Sequence, residues 1–363
     1  MRHPALATQQ RLRLTIGNFL AIFVVGGVVA VPGAVLPQWR EGFASPGQIA
    51  LYFNLILLGL LVGVTAGSRS RSRRVQYPLA PVSVAVGFTL AALAPTFNWV
   101  LAAAVLIGFG QGIINVHGNG LTGELWPERR VAMLNWVNAA FGVGAVSAPI
   151  LSLWLPWREM FGLFAALALV TVFLVWNAPG PVRTQAREGR GGGGIWLALL
   201  IIVCYAGLEG SLATYSGVYL ELLDYPPALT GTLLSLYWAG LTAGRLFLGT
   251  WVALAPLRYL TFLITGSVAT LLLMLIPSIA PIFPLVGLFY GPIFATVFAL
   301  VQEKFGYRAI GGVFYAGAVG GTLGPAFFAL VSPPLIPYGF LTLGLLLLVS
   351  VNYLRRIDAR FTV

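Results

Sequence analysis

Residues 195–222 read IWLALLIIVCYAGLEGSLATYSGVYLEL, and this stretch decides the class of the protein. Crossing the roughly 30 Å hydrocarbon core of a bilayer takes about 20 apolar residues, so the run is long enough to span a membrane. Glu209 lies near its middle. Because an ionisable side chain at that depth is costly, it indicates function. The stretch therefore predicts a transmembrane helix with a candidate proton-binding carboxyl at its centre.

Eleven further apolar runs of similar length flank this one. Hydrophobic residues make up 58% of the 363 residues and charged residues only 9%, against roughly 25% charged in soluble proteins. Connections of a few residues between runs imply antiparallel neighbours. We predict an all-α membrane protein with twelve transmembrane helices at 15–37, 48–67, 77–95, 98–122, 131–154, 159–178, 195–222, 228–252, 258–277, 281–302, 309–331 and 335–354.

The composition also excludes several classes of function. A soluble enzyme, a disordered chain and a disulfide scaffold do not fit so few charges and a single cysteine, Cys204. The sequence contains no HExxH, Walker or GxSxG motif. We therefore expect no enzyme activity, no catalytic residues, no metal and no cofactor. Despite a pI near 10.2, the basic residues are scattered between apolar runs, so we expect no nucleic-acid partner.

The basic residues predict the orientation. With the N-terminus inside, 18 of the 21 Lys and Arg residues fall in inner segments, only Arg40 and Arg158 fall outside, and Arg245 lies within a run. Cytoplasmic loops of membrane proteins carry such an excess of positive charge. We expect a multi-pass protein of the cell inner membrane with both termini in the cytoplasm.

The chain divides into two similar halves. Residues 179–194, PGPVRTQAREGRGGGG, interrupt the apolar pattern after six runs and predict a flexible cytoplasmic linker. The predicted domains are a six-helix bundle at 1–178 and a second at 195–363. GFGQG from Gly108, with Glu124 following, matches GLFYG from Gly287, with Glu303 following. Repeated six-helix halves with pseudo-twofold symmetry are typical of transporters that alternate access to a central site.

Polar residues within the runs form the candidate binding site. Gln111, Asn115 and Asn119 recur every four residues and therefore share one face of span four, as expected for the wall of a wet cavity or for interhelical hydrogen bonds. Asn138 adds an amide in span five. We expect His117, off that stripe, to be packed and hydrogen bonded.

Spans seven and eight supply the remaining candidates. Tyr205 precedes Glu209 by one turn, and Tyr215 and Trp238 offer aromatic faces with polar tips that suit a sugar ring. Interfacial packing explains most of the other aromatic residues. Arg245 either packs between helices, bonded to carbonyls or to a Glu of its own half such as Glu209 or Glu303, or binds an anionic or hydroxyl-rich substrate. With Glu124 and Glu303, we assign Arg245 to a structural or gating role.

Several segments together resemble the major facilitator superfamily, and within it the fucose–galactose–glucose:proton symporter (fucose permease) branch. They cover about three tenths of the chain and read VLPQWREGF, AGSRSRSRR, GFGQGIINVHGN, LNWVNAAFGVGAVSAP, CYAGLEGSLATYSGVYLE, SLYWAGLTAGRLFLGTWV, GPIFATVFALVQEKFG and AGAVGGTLGP. The resemblance implies alternating access around a central cavity, often for a sugar moved with a proton. By position it places Glu209, Tyr215, Asn138 and Arg245 in the family's motifs.

The chain departs from that branch at the usual carboxylates. Gly33 and Ile113 stand where fucose-transporting members carry acidic residues, and AGSRSRSRR lacks the superfamily's Asp. Three explanations are compatible with the missing carboxylates. Glu209 has taken over proton coupling, or transport is not coupled to an ion, or it is coupled to an ion other than the proton.

The leading hypothesis is thus a secondary transporter of a small polar, sugar-like solute, with protons, the lipid bilayer and the solute as partners, acting as a monomer. The alternatives are an exporter of amphipathic compounds or drugs and a non-transporting sensor or lipid-handling protein.

Overall fold

The computed structural model describes residues 6–40, 42–69, 72–152, 154–182, 192–328 and 330–361. Across these residues the regular structure is helical. Most of the predicted linker 179–194 lies outside the described residues. The chain forms two compact units, the first comprising Met1–Glu128, Ala140–Thr184 and Tyr307–Gly311, the second Arg129–Ala139, Gln185–Gly306 and Gly312–Val363. The domain boundaries at 178 and 195 stay a prediction, because short segments of each half group with the other unit.

The first half of the chain contains six long helices. They are α1 (Thr8–Arg40), α2 (Pro46–Arg69), α3 (Arg73–Ala92), α4 (Phe97–Leu125), α5 (Arg130–Ser152) and α6 (Trp157–Val175). One turn of 3₁₀ helix, Pro127–Arg129, leads into α5. Each of the first six apolar runs is thus one helix, with ends a few residues from those expected from hydrophobicity.

The second half repeats the plan with two interruptions. Its helices are α7 (Gly192–Leu222), α8 (Pro227–Ala243), α9 (Gly249–Val252), α10 (Pro256–Leu273), α11 (Pro284–Tyr290), α12 (Ile293–Phe305), α13 (Ile310–Phe328) and α14 (Ile336–Phe361). The π-helical turn Gly244–Leu248 joins α8 to α9, so these elements form span eight. A break at Gly291 and Pro292 divides span ten, since proline has no N–H to continue the helix.

Eleven helical segments among the described residues are long and apolar enough to cross a membrane. The twelfth expected span, 228–252, is absent from that set because the π turn leaves α8 only 17 residues long. The all-α, twelve-helix fold expected from the sequence is confirmed.

Glycines allow the helices of each half to cross closely. In the first unit, a Cβ on Gly63 or Gly112 would lie 2.1 Å from the carbonyl oxygen of Phe109 or 2.3 Å from that of Leu60. α2 and α4 therefore meet backbone to backbone, which only small residues permit.

The second unit contains the matching crossing between α8 and α11. A Cβ on Gly244 would lie 2.2 Å from the carbonyl oxygen of Leu288, and one on Gly287 would lie 2.2 Å from that of Tyr237. Gly108, the counterpart of Gly287 in the sequence repeat, makes the same close approach to Ile56. The sequence repeat therefore corresponds to one packing device used in both halves.

Candidate functional site

Glu209 and Arg245 form an ion pair inside the second unit. Glu209 lies near the middle of α7, and one of its carboxylate oxygens is 3.7 Å from a terminal guanidinium nitrogen of Arg245. The Arg245 side chain is 8% exposed and that of Glu209 is 18% exposed. Charges so shielded from water interact more strongly than a surface pair, and each stabilises the ionised form of the other. The expectation that Arg245 would bond to a Glu of its own half is confirmed.

Arg245 also bonds to two backbone carbonyls. Its Nε donates to the carbonyl oxygen of Gly291 at 3.4 Å, and a terminal nitrogen donates to that of Asn138 at 3.2 Å. Gly291 lies at the break of span ten, and the π turn that carries Arg245 widens the helix locally. π turns of this kind are frequent at functional sites. One side chain thereby connects α5, α7 and the break between α11 and α12.

Three tyrosines surround the pair. The Tyr237 hydroxyl donates to the backbone carbonyl of Glu209 at 3.3 Å, and the rings of Tyr205 and Tyr290 lie 5.7 Å apart. The Tyr205 hydroxyl is buried beside Glu209 and Arg245, within hydrogen-bonding reach of both side chains. Tyr205, Tyr237 and the ion pair therefore form one polar cluster inside the second unit.

The polar stripe of α4 lies in the first unit. Gln111 and Asn119 are buried, and the Asn119 side chain donates to the backbone carbonyl of Asn115 at 3.0 Å. The side-chain oxygen of Gln111 is buried and accepts no hydrogen bond within the described part of the chain. The stripe therefore offers one unpaired acceptor, while the Asn119 amide bonds to the backbone of its own helix.

Glu124 forms a second buried ion pair, with Arg73 at the start of α3. Its two oxygens accept from the two terminal nitrogens of Arg73 at 2.7 and 2.8 Å, a bidentate arrangement. Arg73 is fully buried and its guanidinium also lies 4.8 Å from the centre of the Tyr307 ring. The pair links the start of α3 to the end of α4, and the structural or gating role of Glu124 stays a prediction.

His117 lies beside that pair with both ring nitrogens engaged. Nδ1 bonds to the Tyr307 hydroxyl and Nε2 to the side-chain oxygen of Gln76 at 2.8 Å. Burial raises the pKa of Tyr307 to about 12 despite the neighbouring Arg73, so its hydroxyl stays protonated and donates to Nδ1. Nε2 then carries the ring proton and donates to Gln76. The expectation that His117 would be packed and hydrogen bonded is confirmed.

The other candidates lie apart from the Glu209 pair. Tyr215 packs its ring against Phe328. Trp238 is half-exposed and contacts Tyr237 edge to face, so it is Tyr237, one residue earlier, that reaches Glu209. Glu303 is largely exposed, and its Oε2 lies 3.4 Å from a terminal guanidinium nitrogen of Arg130. Such an exposed ion pair contributes little to the stability of the fold.

Sequence reasoning missed Tyr237 as a contact of Glu209 and Tyr307 as a partner of His117. Adjacent helical residues point about 100° apart, so only packing decides which of Tyr237 and Trp238 faces α7. Tyr307 is 190 residues from His117, and no local pattern links them. Across the described residues, no three His, Cys, Asp or Glu side chains form a group that could hold a metal ion.

Comparisons with known proteins agree with this architecture. A family model described as Major Facilitator Superfamily matches residues 19–329. The fold is similar to FucP, described as the E. coli fucose:proton symporter, in the outward conformation, with a TM-score of 0.76 and 16% identity over 95% of this chain and 99% of that chain. It is also similar to the proton:xylose symporter XylE, with a TM-score of 0.75 and 13% identity over 97% and 96%.

Curated relatives match shorter portions. The chain is 26% identical over 281 residues to a triacylglyceride transporter of Mycolicibacterium hassiacum, covering 72% of this chain and 52% of that protein. It is 26% identical over 163 residues to D-xylose-proton symporter-like 3, chloroplastic, of Arabidopsis thaliana, covering 40% and 28%. The chain spans about half the length of the first relative and less of the second.

Proposed function

The chain belongs to the major facilitator superfamily, and from that premise we propose that it is a secondary active transporter of a small polar, sugar-like solute, coupled to protons through Glu209. The observation that carries the proposal is the shielded Glu209–Arg245 pair near the middle of α7. Carboxyl groups at membrane depth are typical of proton relays in transporters. We further propose that the protein works as a monomer in the inner membrane, with both termini in the cytoplasm.

The coupling follows from what one proton does to the pair. Ionised Glu209 holds Arg245 by charge, whereas protonated Glu209 attracts it only as a neutral hydrogen-bonding partner. Arg245 then keeps its bonds to the carbonyls of Asn138 and Gly291, and its terminal nitrogen that faced Glu209 can turn toward a substrate. Proton binding on α7 thereby changes a contact that reaches α5 and the break in span ten, the kind of linkage that coupled transport requires.

The polar groups support a hydroxyl-rich solute. In the second unit, Arg245 has a fork of N–H donors and the Tyr205 hydroxyl can both donate and accept. In the first unit, Gln111 separately offers a buried, unpaired acceptor. Tyrosine rings supply apolar faces for a sugar ring. The structurally similar FucP and XylE are described as fucose:proton and xylose:proton symporters, which favours the same substrate class. The superfamily's members are transporters, so no enzymatic step is proposed.

A second candidate is export of an amphipathic or lipid-like compound. The relative that matches 72% of this chain is described as a triacylglyceride transporter. Counterflow in proteoliposomes separates the candidates, because only a transported compound exchanges with its labelled form. Exchange of labelled sugars supports the symporter, exchange of an amphipathic compound supports the exporter, and binding without exchange identifies a sensor.

The test of coupling is Glu209→Gln, which mimics the protonated carboxyl in shape and charge. We expect it to abolish proton-driven accumulation while equilibrium exchange persists, because the proton site is lost and the conformational cycle is retained. Sugar uptake into proteoliposomes with an imposed pH gradient measures both.

Glu221→Gln is the matched control, because Glu221 is an exposed acidic residue at the end of the same helix. It should leave accumulation unchanged. Uphill uptake that persists in Glu209→Gln would exclude Glu209 from coupling.

A further inference from the structure

A nearly apolar groove lies on the surface of the first unit, away from the ion pairs. Its volume is about 540 Å³, within the roughly 300–1,000 Å³ typical of small-molecule sites. Val86, Thr89 and Leu93 of α3 line it, together with Trp99 of α4 and Leu169 of α6. Thr89 is the only polar residue on its walls. The groove therefore suits a hydrocarbon ligand.

The exposed walls of the groove indicate lipid as its solvent. Leu93 is 75% exposed, and Val86, Trp99 and Leu169 are each about half exposed. Contiguous exposure of large apolar residues is unfavourable in water but costs nothing against acyl chains. All three helices are among those long and apolar enough to cross a membrane. The groove runs along them, so it is aligned with the acyl chains of one leaflet.

Arg158 stands at the end of this groove. Its terminal nitrogens donate to the carbonyl oxygens of Ala92 at 2.7 Å and Ala94 at 2.8 Å, on either side of the groove residue Leu93. Leu169 lies eleven residues further along α6, about 16 Å away along the helix axis. The groove thus extends from a cation at the helix ends toward the membrane interior, as a phospholipid does.

The Arg158 guanidinium is fixed and still accessible. Its side chain is exposed, and its guanidinium carbon lies 4.4 Å from the centre of the Trp157 ring. A guanidinium has five N–H donors, so the two carbonyl bonds leave donors for a phosphate oxygen. Holding the group in place lowers the entropy lost on binding.

We propose that the groove binds an acyl chain of an anionic phospholipid whose headgroup phosphate pairs with Arg158. Phosphatidylcholine has the same phosphate, but its choline cation cancels the net charge that attracts the guanidinium. Lipid tails are as apolar as the groove, so the bound acyl chain gains affinity only through its fit to the shape of the groove. Arg158 supplies the preference for one headgroup over another. The exposed Glu159 next to it opposes an anionic headgroup and limits the strength of that preference. With the orientation expected from the basic residues, the site lies in the outer leaflet.

The test uses the full chain in phosphatidylcholine nanodiscs that contain a small fraction of phosphatidylglycerol with brominated acyl chains. Bromine quenches nearby indoles, and the difference between the protein and its Trp99→Phe variant isolates the signal of Trp99 in the groove. We expect stronger quenching of Trp99 by brominated phosphatidylglycerol than by brominated phosphatidylcholine. Arg158→Ala should weaken the relative affinity for phosphatidylglycerol about fivefold, as loss of one basic contact predicts.

Two further variants test the proposal without removing the carbonyl bonds of Arg158. Glu159→Gln should increase the preference for phosphatidylglycerol, and Thr89→Phe should reduce quenching of Trp99 by both lipids because it fills the groove. Arg356→Ala, which removes an exposed arginine near the end of α14, should change nothing. Equal quenching by the two lipids would overturn the proposal. So would a preference that survives Arg158→Ala or does not change in Glu159→Gln.

Discussion

At the scale of single residues, the Arg73–Glu124 pair has the clearest energetic consequence. Arg73 is fully buried, so removing Glu124 leaves a charge without its partner in a low-dielectric site. Breaking a buried pair in this way costs about 3–5 kcal/mol, whereas replacing both members by apolar residues is often close to neutral. We expect Glu124→Leu alone to lower the thermal stability of the purified protein strongly.

The double variant Arg73→Met, Glu124→Leu serves as the control for that prediction. It should recover most of the lost stability, because no uncompensated charge remains. Stability losses that simply add would mean that the two side chains act independently, contrary to their bidentate geometry.

Arg245 supports a second prediction at this scale. Arg245→Lys keeps the positive charge but cannot reach Glu209 and the carbonyls of Asn138 and Gly291 together. Proton-driven uptake should fall more than tenfold, a loss of about 1.4 kcal/mol or more in coupling. Glu209→Gln combined with Arg245→Lys should be no worse in uptake than Glu209→Gln alone. A further loss in the double variant would show that Arg245 acts apart from Glu209.

Charged residues of functional interest could be identified from the sequence, because a charge is conspicuous within an apolar run. Glu209 and Arg245 are identifiable from the sequence alone, and so is the packed state of His117. The tyrosines that contact Glu209 and His117 are not, since Tyr237 and Tyr307 reach them through the packing of distant segments. The amides Gln111, Asn119 and Asn138 are buried as a binding site requires, yet two of the three also bond to their own helix. Their substrate-binding role stays a prediction.

At the scale of elements, helix existence follows from hydrophobicity and helix regularity does not. The twelve apolar runs predicted helices correctly, because a segment that crosses lipid must satisfy its backbone hydrogen bonds within itself. The π turn Gly244–Leu248 was not predictable, since hydrophobicity does not distinguish a π turn from a regular α-helical turn. Pro292 was visible in the sequence, but a proline alone does not distinguish a kink from a break.

The close crossings give a prediction at the element scale. Gly63→Ala and Gly244→Ala would each place a Cβ within 2.2 Å of a carbonyl oxygen on the facing helix, so the helices must separate. We expect each to destabilise the protein by about 1–3 kcal/mol, the usual cost of overpacking. Gly162→Ala in α6 is the control, because a Cβ there meets nothing within 4 Å. Equal melting temperatures for all three variants would contradict the crossing geometry.

At the scale of the whole molecule, the sequence repeat indicates duplication of a six-helix plan, and the charge pattern indicates the orientation in the membrane. The crossings at Gly63 and Gly244 recur at equivalent positions, which supports a duplicated six-helix plan. The boundaries 1–178 and 195–363 remain a prediction, because Arg129–Ala139 and Tyr307–Gly311 group with the opposite unit. Apolar periodicity could not indicate this, since it reports what faces lipid within one helix and carries no information on long-range docking.

The orientation in the membrane yields the last prediction. Eighteen basic residues on one side against two on the other predict that the linker and both termini are cytoplasmic. In a Cys204→Ser background, a cysteine replacing Thr96 between α3 and α4 should react with a membrane-impermeant maleimide in intact cells. A cysteine replacing Arg187 or Arg356 should react only after permeabilisation. Since all three positions are tested in one cysteine-free parent, the opposite pattern would invert the topology. It would also move the Arg158 groove to the inner leaflet and place the eighteen basic residues outside.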